Sequence, residues 1–179
     1  MQFSRPTRRI LVFLAWAAAL YLLLCLALLL FQRSLIYFPQ PRAVDDPALL
    51  LRLPTAEAEV LVSTRPRAGR NALIYFGGNA EDVSLNLAQF AQAFADHALY
   101  LLHYRGYGGS GGSPSEAAIQ ADAQALFDRV HAEHPCTVLV GRSLGSGVAV
   151  RLASQRPAAG LVLITPYESI EALARQQFP

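Results

Sequence analysis

Hydrophobic positions fall along the chain in two different regimes. Residues 10–31, "ILVFLAWAAALYLLLCLALLLF", run for 22 positions without a charge, proline or glycine. A helix of that length spans roughly 33 Å, enough to cross a hydrocarbon core of about 30 Å with every backbone group bonded internally. A cleaved leader fits less well, because its apolar region is usually about 7–15 residues long and ends in a small-residue site. This run ends instead in "FQRSL". Residues 10–31 are therefore read as a transmembrane helix that contacts the membrane, after a cytoplasmic tail at 1–9. Arg5, Arg8 and Arg9 precede the run, against Arg33 and Arg42 after it. The positive-inside bias then puts the N-terminus in the cytoplasm and the remaining chain on the periplasmic or extracellular side.

Beyond the run the pattern shortens. Residues 32–57 carry Pro39, Pro41, Pro47 and Pro54 and read as a juxtamembrane connector, with an extended piece at 35–38. From residue 58, short apolar runs alternate with amphipathic ones. "EVLVS", "ALIYF", "ALYLLHY", "CTVLV" and "GLVLIT" read as strands. Helices are expected over "EDVSLNLAQFAQAFADH", "SPSEAAIQADAQALFDRVHAEHP", "SLGSGVAVRLASQ" and "SIEALARQQF". In the second of these, Ser113 is the expected cap, with Pro114 at the first helical position and Glu116 completing a capping box. Strands alternating with helices predict an α/β fold: a mostly parallel sheet covered on both faces, preceded by one transmembrane helix.

Composition changes this picture little. Hydrophobic residues make up 53% of the 179, and the apolar run accounts for the excess over a soluble domain. The net charge of +2 comes from arginines without any lysine, as in an alanine-rich protein of a GC-rich bacterial genome. No like-charge run points to nucleic acid. Cys25 and Cys136 form no disulfide framework, and no ligand cluster implies a metal or an organic cofactor.

Three glycine-rich matches compete for the chemistry. Gly106–Gly111 fits G-x-G-x-x-G, but it does not open a helix directly and lacks an acid at a strand end about 20 residues on, as a dinucleotide site requires. Gly108–Gly112 fits G-x-S-x-G without a strand running tightly in, which makes Ser110 a loop serine. Gly141-Arg142-Ser143-Leu144-Gly145 fits the same pattern between a strand and an alanine-rich helix. There a sharp turn lifts the serine hydroxyl above the strand ends at a helix N-terminus. Ser143 is the candidate nucleophile, and the Leu144 main-chain N–H would face a developing oxyanion. The second donor is assigned to Asn79 N–H in "YFGGNAEDVS", where Gly77 and Gly78 allow close backbone approach to a substrate. A helix cap by Asn79 is the blander alternative.

"FQRSLIYFPQP", "LIYFGGNAEDVS", "HYRGYGGSGGSPSE", "LVGRSLGSGVAV" and "ITPYESI", in that order, resemble the membrane-anchored α/β-hydrolases related to the serine aminopeptidase-like family. The resemblance implies Ser143 as nucleophile and Asn79 as oxyanion donor, with Tyr104 and Arg105 shaping the floor of the site. Gly77 departs from relatives that carry histidine there. It also implies a triad completed by an acid and a histidine that follow the serine. All four histidines (His97, His103, His131, His134) precede Ser143. The last strand resembles the sixth of eight, so residues 58–179 are expected to be the N-terminal portion of a hydrolase domain. The sixth strand would then be an exposed apolar edge. His103 is expected to be packed or loop-supporting, His131 and His134 solvated at a helix end, and Glu168 a helix-start acid. The implied activity is hydrolysis of an ester, thioester or amide, on a small-molecule or lipid acyl substrate. A non-catalytic, membrane-tethered binding module is the alternative.

Overall fold

The structure is a computed structural model that describes residues 5–167. Glu168 and the helix expected over 169–178 lie outside the described residues. The chain divides into two compact units, Met1–Tyr37 and Phe38–Pro179.

The first unit contains α1, Arg5–Ile36. Of this helix, Arg8–Ile36 is long and apolar enough to cross a membrane. The helix outruns the uncharged stretch at both ends. Leu35 and Ile36 are helical rather than extended, and Tyr37 N–H still donates to the Arg33 carbonyl at 2.9 Å.

The second unit is built on a six-stranded sheet of β1 (Leu50–Pro54), β2 (Glu59–Arg65), β3 (Asn71–Phe76), β4 (Ala98–Leu102), β5 (Cys136–Arg142) and β6 (Gly160–Ile164), in the order β1-β2-β4-β3-β5-β6. β1 and β2 run antiparallel to their neighbours, and β4, β3, β5 and β6 are parallel to one another. β1 lies inside the stretch read as a connector. Asp46 opens a short 3-10 turn at Pro47–Leu49 by accepting the Ala48 N–H, and the chain passes directly into the strand. The strand lies half-exposed at a sheet edge, and its leucines are interrupted by Arg52 and bounded by Pro47 and Pro54.

Alternation along β3 divides the core between two faces. Leu73 and Tyr75 join Leu99, Leu101 and Val140 beneath Val83 and Leu87, with Phe90 edge-on to Tyr75 at 4.9 Å. Ala72, Ile74 and Phe76 are buried as well and point to the opposite face, where α3 (Glu116–Glu133) and α4 (Leu144–Ala153) pack on β3 and β5. The helix expected after Glu81 is shorter than its pattern. Asp82 accepts the Ser84 N–H and starts a 3-10 turn at Val83–Asn86, leaving α2 at Leu87–Ala93. The cap of α3 is Ser115, which accepts the Ala118 N–H at 3.2 Å, so the helix starts two residues later than Ser113 and Pro114 imply.

Buried polar groups tie the loops to this frame. Arg105 donates to both carboxylate oxygens of Asp122, each at 2.9 Å, and to Glu57 at 2.6 Å. Ser110 is buried, donates to the His103 carbonyl and accepts the Leu61 N–H, so it pins its loop to β2. His134 is buried rather than solvated, lying 2.8 Å from the Gly69 carbonyl and 3.2 Å from the Tyr100 hydroxyl. His131 stacks on Phe127 with ring centroids 5.0 Å apart.

His103 supports a loop, as its position on the chain predicts. It is buried, lies 2.8 Å from Ser63 Oγ and packs where any Cβ on Gly108 would fall, 2.1 Å from its Nδ1. Burial pushes its pKa down from 6.5 to about 4, with Asp82 raising it and Arg42 lowering it. Between those values the unfolded chain binds a proton that the folded chain resists. This contribution to stability is therefore present above 6.5 and is lost as the pH falls towards 4. Its full size is on the order of 3 kcal/mol. Thermal unfolding at about pH 7 and about pH 4.5 should show a larger acid loss in the wild type than in His103→Gln. Equal losses would contradict this origin.

Candidate active site

The centre of the site is a backbone that almost no side chain permits. Ser143 has φ 49° and ψ −114°, a conformation that costs about 1–3 kcal/mol and persists only where its surroundings force it. It sits between β5 and α4, and its N–H donates to the Ile164 carbonyl of β6 at 2.9 Å. Its carbonyl accepts the Ser146 N–H, also at 2.9 Å, which starts the first turn of α4.

The flanking glycines make room for this turn. A Cβ on Gly145 would lie 2.0 Å from the Phe76 carbonyl oxygen and 2.7 Å from that of Gly77. A Cβ on Gly141 would lie 2.4 Å from the Gly145 carbonyl oxygen. The N-terminus of α4 therefore packs directly on the end of β3. Arg142 points outward, with a side chain 52% exposed and 3.7 Å from Glu81.

The loop after β3 forms the other wall. A recess of about 370 Å³ is lined by Gly78, Asn79, Ala80, Glu81, Arg142, Ser143 and Thr165. A Cβ on Gly78 would be 3.7 Å from Ser143 Cβ, so the loop backbone passes close to the serine. Leu144, next to Ser143, opens α4 as its first residue. Asn79 does not cap the following turn, a role that falls to Asp82. Its side-chain oxygen instead accepts from the Tyr107 hydroxyl at 2.8 Å, from Ala80 N–H at 3.1 Å and from Phe38 N–H at 3.1 Å. Ala80 follows with φ 56°.

Gly77 is fitted to its neighbours, because a Cβ there would lie 2.4 Å from Val83 Cγ1. Its carbonyl accepts the Tyr104 hydroxyl at 2.8 Å. Tyr104 thus acts on the site through the loop, and burial raises its pKa well above the ordinary phenol value. Arg105 is not among the recess-lining residues; its guanidinium is taken up by Asp122 and Glu57.

Glu81 is the residue that the motif pattern did not single out. Its carboxylate accepts Gly78 N–H at 2.5 Å, the Tyr75 hydroxyl at 2.7 Å and Asn86 Nδ2 at 2.6 Å. Burial, then the bond to Glu81, raises the Tyr75 pKa and keeps the phenol protonated. Glu81 thus takes up the Gly78 N–H within the loop itself. The signal for this role was the carboxylate three residues after Gly78, within reach of its N–H.

None of the four histidines is bonded to Ser143 among the described contacts. His103 meets Ser63, His134 meets Gly69 and Tyr100, His131 stacks on Phe127, and His97 meets Phe94 edge-on. No group of three or more metal-ligating side chains is found among the described residues.

Two glycines of α4 separate packing from propensity. Gly145→Ala should lower stability by about 3 kcal/mol, because the Phe76–Gly77 backbone occupies the place of its Cβ. Gly147→Ala meets nothing within 4 Å and should raise stability by about 0.5–1 kcal/mol. Thermal unfolding of the two variants checks both signs.

Residues 69–177 match the serine aminopeptidase S33 family of hydrolases. The chain is 35% identical over 167 residues to a protein of Mycobacterium tuberculosis, covering 83% of this chain and 58% of that one. It is 31% identical over 134 residues to the bem46 protein of Schizosaccharomyces pombe, covering 70% and 44%. It is 33% identical over 115 residues to the lysophosphatidylserine lipase ABHD12 of Gallus gallus, covering 58% and 30%. The chain thus spans about half the length, or less, of the curated relatives it matches. Among solved structures, the mouse α/β-hydrolase domain-containing protein 10 shares the fold with a TM-score of 0.59 at 21% identity, over 73% of this chain and 54% of that one. An esterase of Pyrococcus furiosus does so with 0.59 at 16% identity, over 79% and 61%. With its α/β sheet and a family match over more than half its residues, the chain belongs to the serine aminopeptidase S33 family of α/β-hydrolases.

Proposed function

We propose that this protein is a membrane-anchored serine hydrolase in which Ser143 attacks an acyl carbonyl. The observation that carries the reading is the strained Ser143 backbone at the N-terminus of α4, beside the Gly78–Glu81 loop. In this reading Ser143 Oγ adds to the carbonyl carbon, and the oxygen takes the negative charge. The N–H groups of Leu144 and Asn79 hold that oxygen while the leaving group departs with a proton, giving an acyl-serine that water then hydrolyses. None of the four histidines meets Ser143 among the described residues, so in this reading the base that accepts the serine proton is none of these four. An apolar helix of bilayer length and a relative named as a lysophosphatidylserine lipase both favour a lipid acyl substrate. The hydrolase unit lies on the periplasmic or extracellular side in this reading, which the arginine bias before α1 supports. The uncommitted histidine role equally suits a non-catalytic binding module, and one experiment separates the two.

The test is labelling by a fluorophosphonate probe, with Ser143→Ala as control. The hydrolase reading predicts slow labelling that disappears in Ser143→Ala. Without a histidine base the rate should climb about tenfold per pH unit between about pH 6 and about pH 9, with no plateau. Labelling that survives in Ser143→Ala, or no labelling of the wild type, would contradict the nucleophile. A plateau near neutral pH would place a base within these residues.

A further inference from the structure

The residues that directly follow α1 carry no regular secondary structure, yet they are bonded at almost every step to the two loops beside Ser143. Phe38 N–H is shared between the Tyr107 hydroxyl at 3.0 Å and Asn79 Oδ1 at 3.1 Å. The Gln40 carbonyl accepts Gly108 N–H at 2.8 Å. Arg42 Nη1 donates to the Gly108 carbonyl at 2.7 Å. Ala43 N–H donates to Asp82 Oδ2 at 2.7 Å, and Val44 N–H to Ser84 Oγ at 3.2 Å. Six hydrogen bonds thus join Phe38–Val44 to the loop after β3 and to the loop after β4.

Three of these bonds end on Asn79, Asp82 and Ser84, around a turn of unfavourable backbone geometry. Asn79 and Ala80 line the recess, and Ala80 stands at φ 56°, a left-handed conformation disfavoured for a residue with a Cβ. Such a turn persists where its neighbours over-determine it. Here the Asn79 side-chain oxygen is gripped by Tyr107 from one loop and by Phe38 from the arm, while it also accepts the Ala80 N–H. Asp82, two residues further on, is likewise gripped from both sides: it accepts Ser84 N–H within its own turn and Ala43 N–H from the arm. The arm therefore brackets Asn79–Asp82 at both ends. The Phe38 ring contributes little to this, because it is about half exposed; the grip is a main-chain one.

We infer that Phe38–Val44 is a positioning arm of the Ser143 site. By holding Asn79 Oδ1 and Asp82 it sets the Asn79–Ala80 turn in the geometry from which the Asn79 main-chain N–H meets an oxyanion. The inference rests on the proposed role of Ser143. One consequence is that the functional unit starts at Phe38, well before the first strand. A second is that the oxyanion loop responds to whatever displaces this segment, although no arm residue lines the recess.

The experiment uses the full chain in detergent and compares Phe38→Pro/Arg42→Ala with Phe38→Ala/Arg42→Lys. The first pair deletes the Phe38 N–H and the guanidinium. The second keeps the N–H and a cation. Two readouts are taken: amide hydrogen exchange, and fluorophosphonate labelling of Ser143 resolved into a maximal rate and an apparent affinity for the probe. The arm predicts about tenfold faster exchange over residues 77–84 and 104–110 in the first pair only, with exchange in β3 and β5 unchanged. It also predicts an about tenfold lower maximal labelling rate at unchanged affinity, partly restored in the second pair. Equal exchange in the two pairs would overturn the arm. Faster exchange with an unchanged labelling rate would overturn its link to the oxyanion. If the wild-type chain takes no label, the nucleophile reading falls together with the oxyanion role, while the exchange comparison still decides whether the arm holds the turn.

Discussion

The rest of the site depends on one close approach, that of the first turn of α4 to the end of β3. No side-chain atom fits between them, since a Cβ on Gly145 would sit 2.0 Å from the Phe76 carbonyl oxygen. This contact holds the serine turn against the sheet and leaves Ser143 in a left-handed conformation with ψ −114°. It also puts the Gly77–Gly78 backbone beside the serine, because β3 and β5 are parallel neighbours with Phe76 opposite Gly141. The recess is thus a product of strand register and two glycines before any side chain takes part.

Side chains then fix what the glycines permit. Glu81 folds the loop after β3 back on itself through the Gly78 N–H and pairs with Arg142, the residue before the serine. Tyr104 holds the Gly77 carbonyl from below, and Asn79 is held from the side by Tyr107. The loop after β4 earns its conformation in turn from buried polar contacts, His103 beneath Gly108 and Arg105 on Asp122. Each of these groups acts one or two contacts away from the serine. Their combined effect is to fix the loop backbone beside Ser143.

Much of this was legible from the pattern of residues, and the gaps have physical causes. β3, β4 and β5 are buried on both faces and read as uninterrupted apolar runs. β1 was hidden because a half-exposed edge strand among prolines carries neither a continuous nor a cleanly alternating signal. Ser113 and Ser115 both suit a cap for α3, and only backbone geometry selects Ser115. Gly141, Ser143 and Gly145 stood out because their spacing is local. Glu81 was not singled out because its role depends on Tyr75, Asn86 and Arg142, which three different segments bring to it. The burial of His134 was not legible from the end of a helix, since it is decided by tertiary contacts with Gly69 and Tyr100. At the far side of the sheet, Leu161 to Ile164 of β6 are 37–48% exposed, and β6 pairs with β5 alone among the described residues.

The central claim is that the strained turn aims Ser143 at a carbon whose oxygen falls between two main-chain donors. The most direct measurement is an experimental structure of the chain carrying a phosphonate on Ser143 Oγ. The account predicts the phosphonyl oxygen about 2.7–3.1 Å from both Leu144 N and Asn79 N, with the Asn79–Ala80 turn unmoved. A phosphonyl oxygen directed to solvent, or one reached by neither N–H, would contradict it.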